Sequence, residues 1–280
     1  MQKKIKSFDG TRICYDISKG DSKSCLVFVH GIGGNLTAWK KERRFFHSRS
    51  YSTLAIDLRG HGKSERPKSS LSYNLEYFAK DIRQVIKREK ISNFILIGHC
   101  FGAIISMIFH KLYPSLARSY IFIDTTYKAP TIVNWVMGGH KFYISLLNNL
   151  LGREDLTNKC FSHLDYGAYT NTGDWSIRRL FSDIKSTSIK SWVFTYENLA
   201  GFYGNLILKN MKQKVLIIHG DKDSYFNFLN AEKMHHLVKN SKLRIVPDAN
   251  HVSVLNNPQI IEKEIYNFIN QAENKRYARY

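Results

Sequence analysis

The chain contains no run of about eighteen apolar residues, so a transmembrane helix is excluded on sequence grounds. Its start, Met1 to Lys6, is basic, but strand-like polar sequence follows where a secretory signal would place an apolar region. The expected location is therefore cytoplasmic. Cysteine is scarce. The four present (Cys14, Cys25, Cys100 and Cys160) are too few and too irregularly spaced for a disulfide framework, and none belongs to a C-x-x-C pair. Neither a zinc site nor a thioredoxin-type redox site is indicated. Each cysteine is then a small buried apolar side chain or a reactive thiol, and position must decide which. Acidic residues are also short in number, 23 against 42 basic ones, leaving a formal net charge of +19. Such a charge suits nucleic acid, anionic lipid or an anionic substrate. The basic residues, however, fall in short separated clusters: Lys40-Lys41, Arg43-Arg44, Arg178-Arg179, and Lys212 with Lys214. No nucleic-acid-binding signature accompanies them, and a lysine-rich solvated surface accounts for most of the excess. Internal repeats and low-complexity linkers are absent.

What is present suffices for a full core. The 280 residues, 43% hydrophobic and 13% aromatic, suit one large domain or a core domain with one insertion. Short apolar runs at Cys25–His30, Ser52–Asp57, Asn93–Gly98, Tyr120–Asp124 and Val215–His219 read as buried strands, with a last strand at Leu243–Val246. Helical periodicity separates them: Leu75, Phe78, Ile82, Val85 and Ile86 share one face, as do Ile104, Ile105, Ile108 and Leu112, and an amphipathic helix from Ile260 to Gln271 closes the chain. This alternation predicts an α/β fold with a mostly parallel sheet covered on both faces. The interval 127–210 breaks the rhythm. It has helical pieces, no convincing strand, and many large side chains: Trp135, Phe142, Tyr143, Tyr166, Tyr169, Trp175, Trp192, Phe194, Tyr196, Phe202 and Tyr203. It reads as a mainly helical cap inserted into a core formed by residues 1–126 and 211–280. Most of these aromatics are expected in the cap's own core, and the rest would make a pocket apolar.

The chemistry concentrates at Gly98-His99-Cys100-Phe101-Gly102, between a buried strand and an amphipathic helix. That context is the one a G-x-S-x-G nucleophile elbow requires, with cysteine in the serine position. The turn is tight enough that flanking residues without side chains are needed. A thiol there lies at a helix N-terminus, where the dipole favours thiolate.

Together with three further segments, this motif resembles the α/β-hydrolase superfamily over essentially the whole chain outside the cap. His30-Gly31-Ile32-Gly33-Gly34 resembles the family's oxyanion loop. Asp57-Leu58-Arg59-Gly60-His61-Gly62-Lys63-Ser64 is similar to its structural D-x-R-G-x-G-x-S turn. Gly220-Asp221-Lys222-Asp223 and Asn250-His251 are similar to its acid loop and late histidine. The resemblance implies Cys100 as nucleophile, His251 as general base and Asp223 as the acid that orients it, with Asp124 at the end of the preceding core strand as the alternative acid. The backbone N–H groups of Ile32 and Phe101 would form the oxyanion hole. His30 and His99 are expected to be structural hydrogen-bonders. His47, His61, His110, His163, His235 and His236 have no comparable placement.

The function implied is hydrolysis of a carboxylic ester, lactone or thioester through an acyl-cysteine, on a small-molecule acyl substrate, carrier- and CoA-linked acyl groups included. A thioester intermediate also suits transfer to a thiol, alcohol or amine, so an acyltransferase is the first alternative. Some α/β hydrolases that use an elbow cysteine, dienelactone hydrolases and polyhydroxyalkanoate synthases, show no further likeness to this chain. A non-catalytic ligand-binding protein on the same fold is the second alternative, against which the complete set of Cys100, His251 and Asp223 argues. No cofactor, metal, nucleic-acid partner or stable membrane insertion is expected, because the Gly-rich loop lacks the dinucleotide pattern and acyl chemistry of this kind needs no metal.

Overall fold

A computed structural model describes residues 2–131, 133–135 and 163–277. Phe142, Tyr143 and Cys160 lie outside the described residues. Eight strands form one sheet: β1 (Gln2–Lys6), β2 (Arg12–Ser18), β3 (Cys25–Val29), β4 (Ser52–Ile56), β5 (Phe94–His99), β6 (Ser119–Ile123), β7 (Lys214–Gly220) and β8 (Ser241–Val246). Their spatial order is β1-β2-β4-β3-β5-β6-β7-β8. The β1–β2 and β2–β4 pairs are antiparallel and every later pair is parallel.

Burial explains the composition of each strand. Strands β3, β5 and β6 are buried along their whole length and carry continuous apolar runs, as a parallel strand covered on both faces must. The edge strand β1 has no second neighbour and places Lys3, Lys4 and Lys6 among partly and fully exposed positions. Lysines on an open edge discourage pairing with another chain, which gives part of the positive charge a local use.

Alternating strand residues face two cores. One contains Val27, Val29, Leu96, Phe122 and Ile217, covered by α2 (Leu75–Arg88) and α3 (Phe101–Leu112). The other contains Leu26, Phe28, Ile97, Ile121 and Ile218. It is covered by Phe46 of α1 (Lys40–His47) and by Ile261, Ile265 and Phe268 of the last helix. Between β6 and β7 the described residues hold α4 (Ile177–Thr187), α5 (Ile189–Leu199) and α6 (Asn205–Asn210). Beyond them come α7 (Leu229–Leu237), α8 (Ser253–Asn256) and the closing α9 (Pro258–Tyr277).

The Asp57–Ser64 turn anchors the loops around the sheet's C-terminal edge. Asp57 accepts hydrogen bonds from the backbone N–H of Leu36 at 2.8 Å and of Lys63 at 2.9 Å. Arg59 is fully buried and forms a bidentate pair with the equally buried Asp81 of α2, both contacts at 2.7 Å. It also reaches Asp9 at 2.9 Å and the Ser72 carbonyl at 2.6 Å. Removing one partner of such a pair strands the other charge in the interior. Arg59→Leu is therefore expected to lower unfolding free energy by about 3–5 kcal/mol, read from the urea transition. A wild-type midpoint would contradict this reading.

Candidate active site

Strand β5 runs directly into α3 through one residue. Cys100 makes the junction with φ 51° and ψ −116°, a conformation that L-residues rarely adopt. Glycines on either side permit it. A Cβ at Gly98 would lie 2.4 Å from the Ala103 nitrogen, and one at Gly102 would lie 2.3 Å from the Val29 carbonyl oxygen. The turn carries the Cys100 side chain out of the core, where it is partly exposed, while Cys14 and Cys25 are buried. Burial pushes both of those thiols up to about 12, away from thiolate character.

The loop after β3 lies directly beside this thiol: a Cβ at Gly31 would come within 3.6 Å of the Cys100 Sγ. His30 fixes the loop, with Nδ1 donating to the Gly31 carbonyl at 2.8 Å and Nε2 accepting from the Leu58 N–H at 3.1 Å. The N–H groups of Ile32 and of Phe101, the first residue of α3, have no acceptor among the backbone bonds that close the surrounding turns. The Phe101 N–H, at the start of α3, is a ready site for developing negative charge.

His251, on the loop between β8 and α8, donates from Nδ1 to Asp223 Oδ2 at 2.8 Å and faces Cys100 with its other side. Asp223 follows β7, and its second oxygen accepts the N–H groups of Tyr225 at 2.8 Å and Phe226 at 2.9 Å. His219 approaches its Oδ2 at 3.3 Å. Burial alone would raise the Asp223 carboxyl, but the hydrogen bond and charge of His251 and the further donors hold it below the ordinary carboxylate value. Burial likewise opposes charge on the His251 ring. The Cys100 sulfur and the Asp223 carboxylate outweigh it and hold the ring well above the ordinary imidazole value.

Asp124 is differently engaged. Its oxygens accept the Gly220 N–H at 3.0 Å and the Ser253 hydroxyl, and burial raises it to about 6. Of the two carboxylates considered from sequence, the one hydrogen-bonded to the His251 ring is Asp223. His99 donates from Nε2 to the His251 carbonyl at 2.8 Å, and burial lowers its ring to about 3, so it stays neutral. His163 had no assigned place from sequence; the structure sets its Nε2 on Asp57 at 2.7 Å.

A cavity of about 740 Å³ opens over Cys100 and His251. Trp175, Trp192, Tyr196 and Tyr166 line it, whereas Phe194 is buried apart from it and Tyr203 is exposed. The polar wall was not visible in the sequence. Asp183 accepts from the Tyr166 hydroxyl at 2.6 Å, and burial raises it to about 7. Thr187 donates to the Gly33 carbonyl at 3.0 Å, and the Tyr166 hydroxyl lies 3.1 Å from the same oxygen, tying this wall to the glycine loop. No periodicity marks these polar residues, and the glycine loop they bond lies more than a hundred positions away. Two clusters of ligand-type side chains occur among the described residues, Cys14/Asp57/His163 and Asp124/His219/Asp223. Their carboxylates are already saturated by the protein donors above.

Residues 25–258 match the family described as alpha/beta hydrolase fold, and the chain belongs to that family. Protein ABHD8 of Bos taurus is 23% identical over 252 residues, covering 87% of this chain and 55% of the relative, so the chain spans about half the length of the relatives of that type. The 2-(acetamidomethylene)succinate hydrolase of Mesorhizobium japonicum is 27% identical over 266 residues, and the match covers 92% of each. The esterase EaEST from Exiguobacterium antarcticum superposes with a TM-score of 0.74 at 20% identity, over 96% of this chain and 100% of that one. The enol-lactonase from Burkholderia xenovorans LB400 gives 0.73 at 18%, over 96% and 100%. At these identities the structural likeness is one of fold. Among the described residues no helix is long and apolar enough to cross a membrane.

A raised His251 pKa has a definite sign: the ring keeps its proton as pH passes the ordinary value of about 6.5 and releases it only at the higher one. Nitrogen NMR of the ring should therefore show imidazolium above that ordinary value in the native chain. In Cys100→Ser the facing sulfur is replaced by a hydroxyl, and the titration should fall toward the ordinary value. Identical titrations in the two proteins would contradict this.

Proposed function

We propose that the chain hydrolyses a carboxylic ester, lactone or thioester through a covalent acyl-Cys100 intermediate. The observation that carries the reading is the meeting, at one turn of strained backbone, of a partly exposed thiol and a His251–Asp223 pair at 2.8 Å, in a cavity that Ile32 and Phe101 also line. His251 takes the thiol proton, and Sγ attacks the substrate carbonyl. The oxyanion is received by the two N–H groups, contacts that in comparable sites contribute about 10²–10³ in rate each. Collapse expels the alcohol or thiol, which takes its proton from the imidazolium. Water, deprotonated by His251, then attacks the thioester, and the acid departs with the thiol restored. Asp223 holds the ring in the tautomer that presents Nε2 to sulfur, and stabilises its charge.

We assign the described residues of the interval 127–210 to a cap over this site. Trp175, Trp192 and Tyr196 make the cavity apolar, which suits a hydrophobic acyl chain. The esterase and the enol-lactonase that share this fold carry names consistent with this class of reaction.

Incubation with a panel of activated acyl esters and thioesters, followed by intact-mass measurement, tests the reading. One acyl mass should appear on the native chain and none on Cys100→Ala. His251→Ala should slow acylation by about 10²–10⁴-fold. Adding alcohols, amines or thiols separates water from another acceptor. Acylation that persists in Cys100→Ala would refute the assignment of the nucleophile.

A further inference from the structure

Asp174 is a buried carboxylate, 6% exposed, on a short loop just before α4. It lies far in sequence from both catalytic loops, yet it touches each of them. Its Oδ1 accepts the backbone N–H of His251 at 2.8 Å. Its Oδ2 accepts the backbone N–H of Ser224 at 2.9 Å and the Ser224 hydroxyl at 2.8 Å, directly after Asp223.

The rest of the loop reinforces this bridge. The Thr172 carbonyl accepts the side-chain amides of Asn250 and Asn256, both at 2.9 Å. The Asn171 N–H donates to Asn256 at 2.7 Å. Tyr225 donates its hydroxyl to the Asp174 carbonyl at 3.1 Å, and Trp175 stacks on the Tyr225 ring with centroids 4.6 Å apart. Behind the loop, the buried Arg179 guanidinium donates to the Thr172 hydroxyl and the Gly173 carbonyl, both at 3.0 Å, and also to the Asp174 carbonyl. Arg179 thus has its terminal nitrogens occupied in holding the loop rather than offering them to a substrate.

We infer that Asp174 is a positioning residue that sets the distance between the His251 ring and the Cys100 sulfur by clamping the His251 and Asp223 loops to one carboxylate. The inference rests on the reading of Cys100 and His251 given above. Two acceptor oxygens are required, one for each loop, so an amide cannot replace the carboxylate: asparagine offers a single acceptor and turns a donor toward an N–H group. His99 holds the His251 carbonyl and Asp174 its N–H, so the two fix the backbone that carries the ring, and transfer of the thiol proton depends on close approach. The other groups that face the His251 ring are Cys100, Asp223, His99 and the rings of Tyr225 and Phe226, with His219 and Asp124 behind Asp223. Asp174 differs from all of these in contacting the His251 backbone N–H rather than its ring.

The test needs no knowledge of the substrate. Iodoacetamide alkylation of the Cys100 peptide, followed by mass spectrometry across pH, reports how much thiolate His251 sustains. The native chain sets the reference profile, and His251→Ala the profile without the facing ring. Asp174→Ala and Asp174→Asn should each displace the profile to higher pH. Alkylation on the acidic limb then slows about tenfold for a displacement of one pH unit, while circular dichroism stays native. Should Asp174→Ala fail to fold, the isosteric Asp174→Asn carries the test. A native profile in a folded Asp174→Asn protein would overturn the inference. A profile that His251→Ala leaves unchanged would instead overturn the reading of the Cys100–His251 pair, and the inference with it.

Discussion

The backbone at Cys100 is the constraint around which the site is arranged. A residue at φ 51° and ψ −116° has no room for side chains at Gly98 or Gly102, where added carbons would sit 2.3–2.4 Å from neighbouring atoms. Such strain persists only where the surroundings over-determine it. Here they do so from both sides: β5 is fully buried, and α3 is buried along its first ten residues. The sheet and the helix together fix a thiol at the point where a helix N-terminus, the glycine loop and the β7 and β8 loops converge. The same edge of an open parallel sheet is where such folds place their ligands.

Around that point the polar groups form a connected system rather than separate pairs. Asp223 is saturated by His251 and two backbone N–H groups, with His219 close behind. The segment between β6 and β7 then touches the machinery on two flanks. Tyr166 and Thr187 meet the Gly33 carbonyl, next to the Ile32 N–H, and Asp174 bonds the His251 and Ser224 backbones. Buried polar networks of this kind fix geometry through the donors and acceptors their members share. The wall that makes the cavity apolar is therefore also the wall that holds its polar groups in place.

Much of this could be read from the residues. Continuous apolar runs revealed the strands that are buried on both faces, and the glycines about Cys100 revealed the turn that exposes it. The edge strands were harder, since β1 and β2 mix lysine, arginine and polar residues with a few apolar positions and pair antiparallel at the rim. The acid-loop match favoured Asp223 over Asp124, and the fold adds what local order could not carry, the 2.8 Å contact to a ring 28 positions away. Asp174, Asp183 and Tyr166 carry no local signal at all. Asp174 and Tyr166 each meet a loop remote in the chain, Asp183 is bonded by Tyr166, and no helical or strand period marks residues whose task is to exchange hydrogen bonds with another segment. The place of His163 was hidden for the same reason: it depends on a contact with Asp57 across 106 positions.

The most direct test of acyl transfer through Cys100 is a crystal structure of the acyl-enzyme, trapped by acylating His251→Ala so that deacylation is slowed. Continuous density should run from the Cys100 Sγ to the acyl carbon. The carbonyl oxygen should lie between the Ile32 and Phe101 nitrogens, about 2.7–3.1 Å from each, with the acyl chain lying against Trp192 and Tyr196. Density attached to any other side chain, or an acyl oxygen turned away from those two N–H groups, would contradict it.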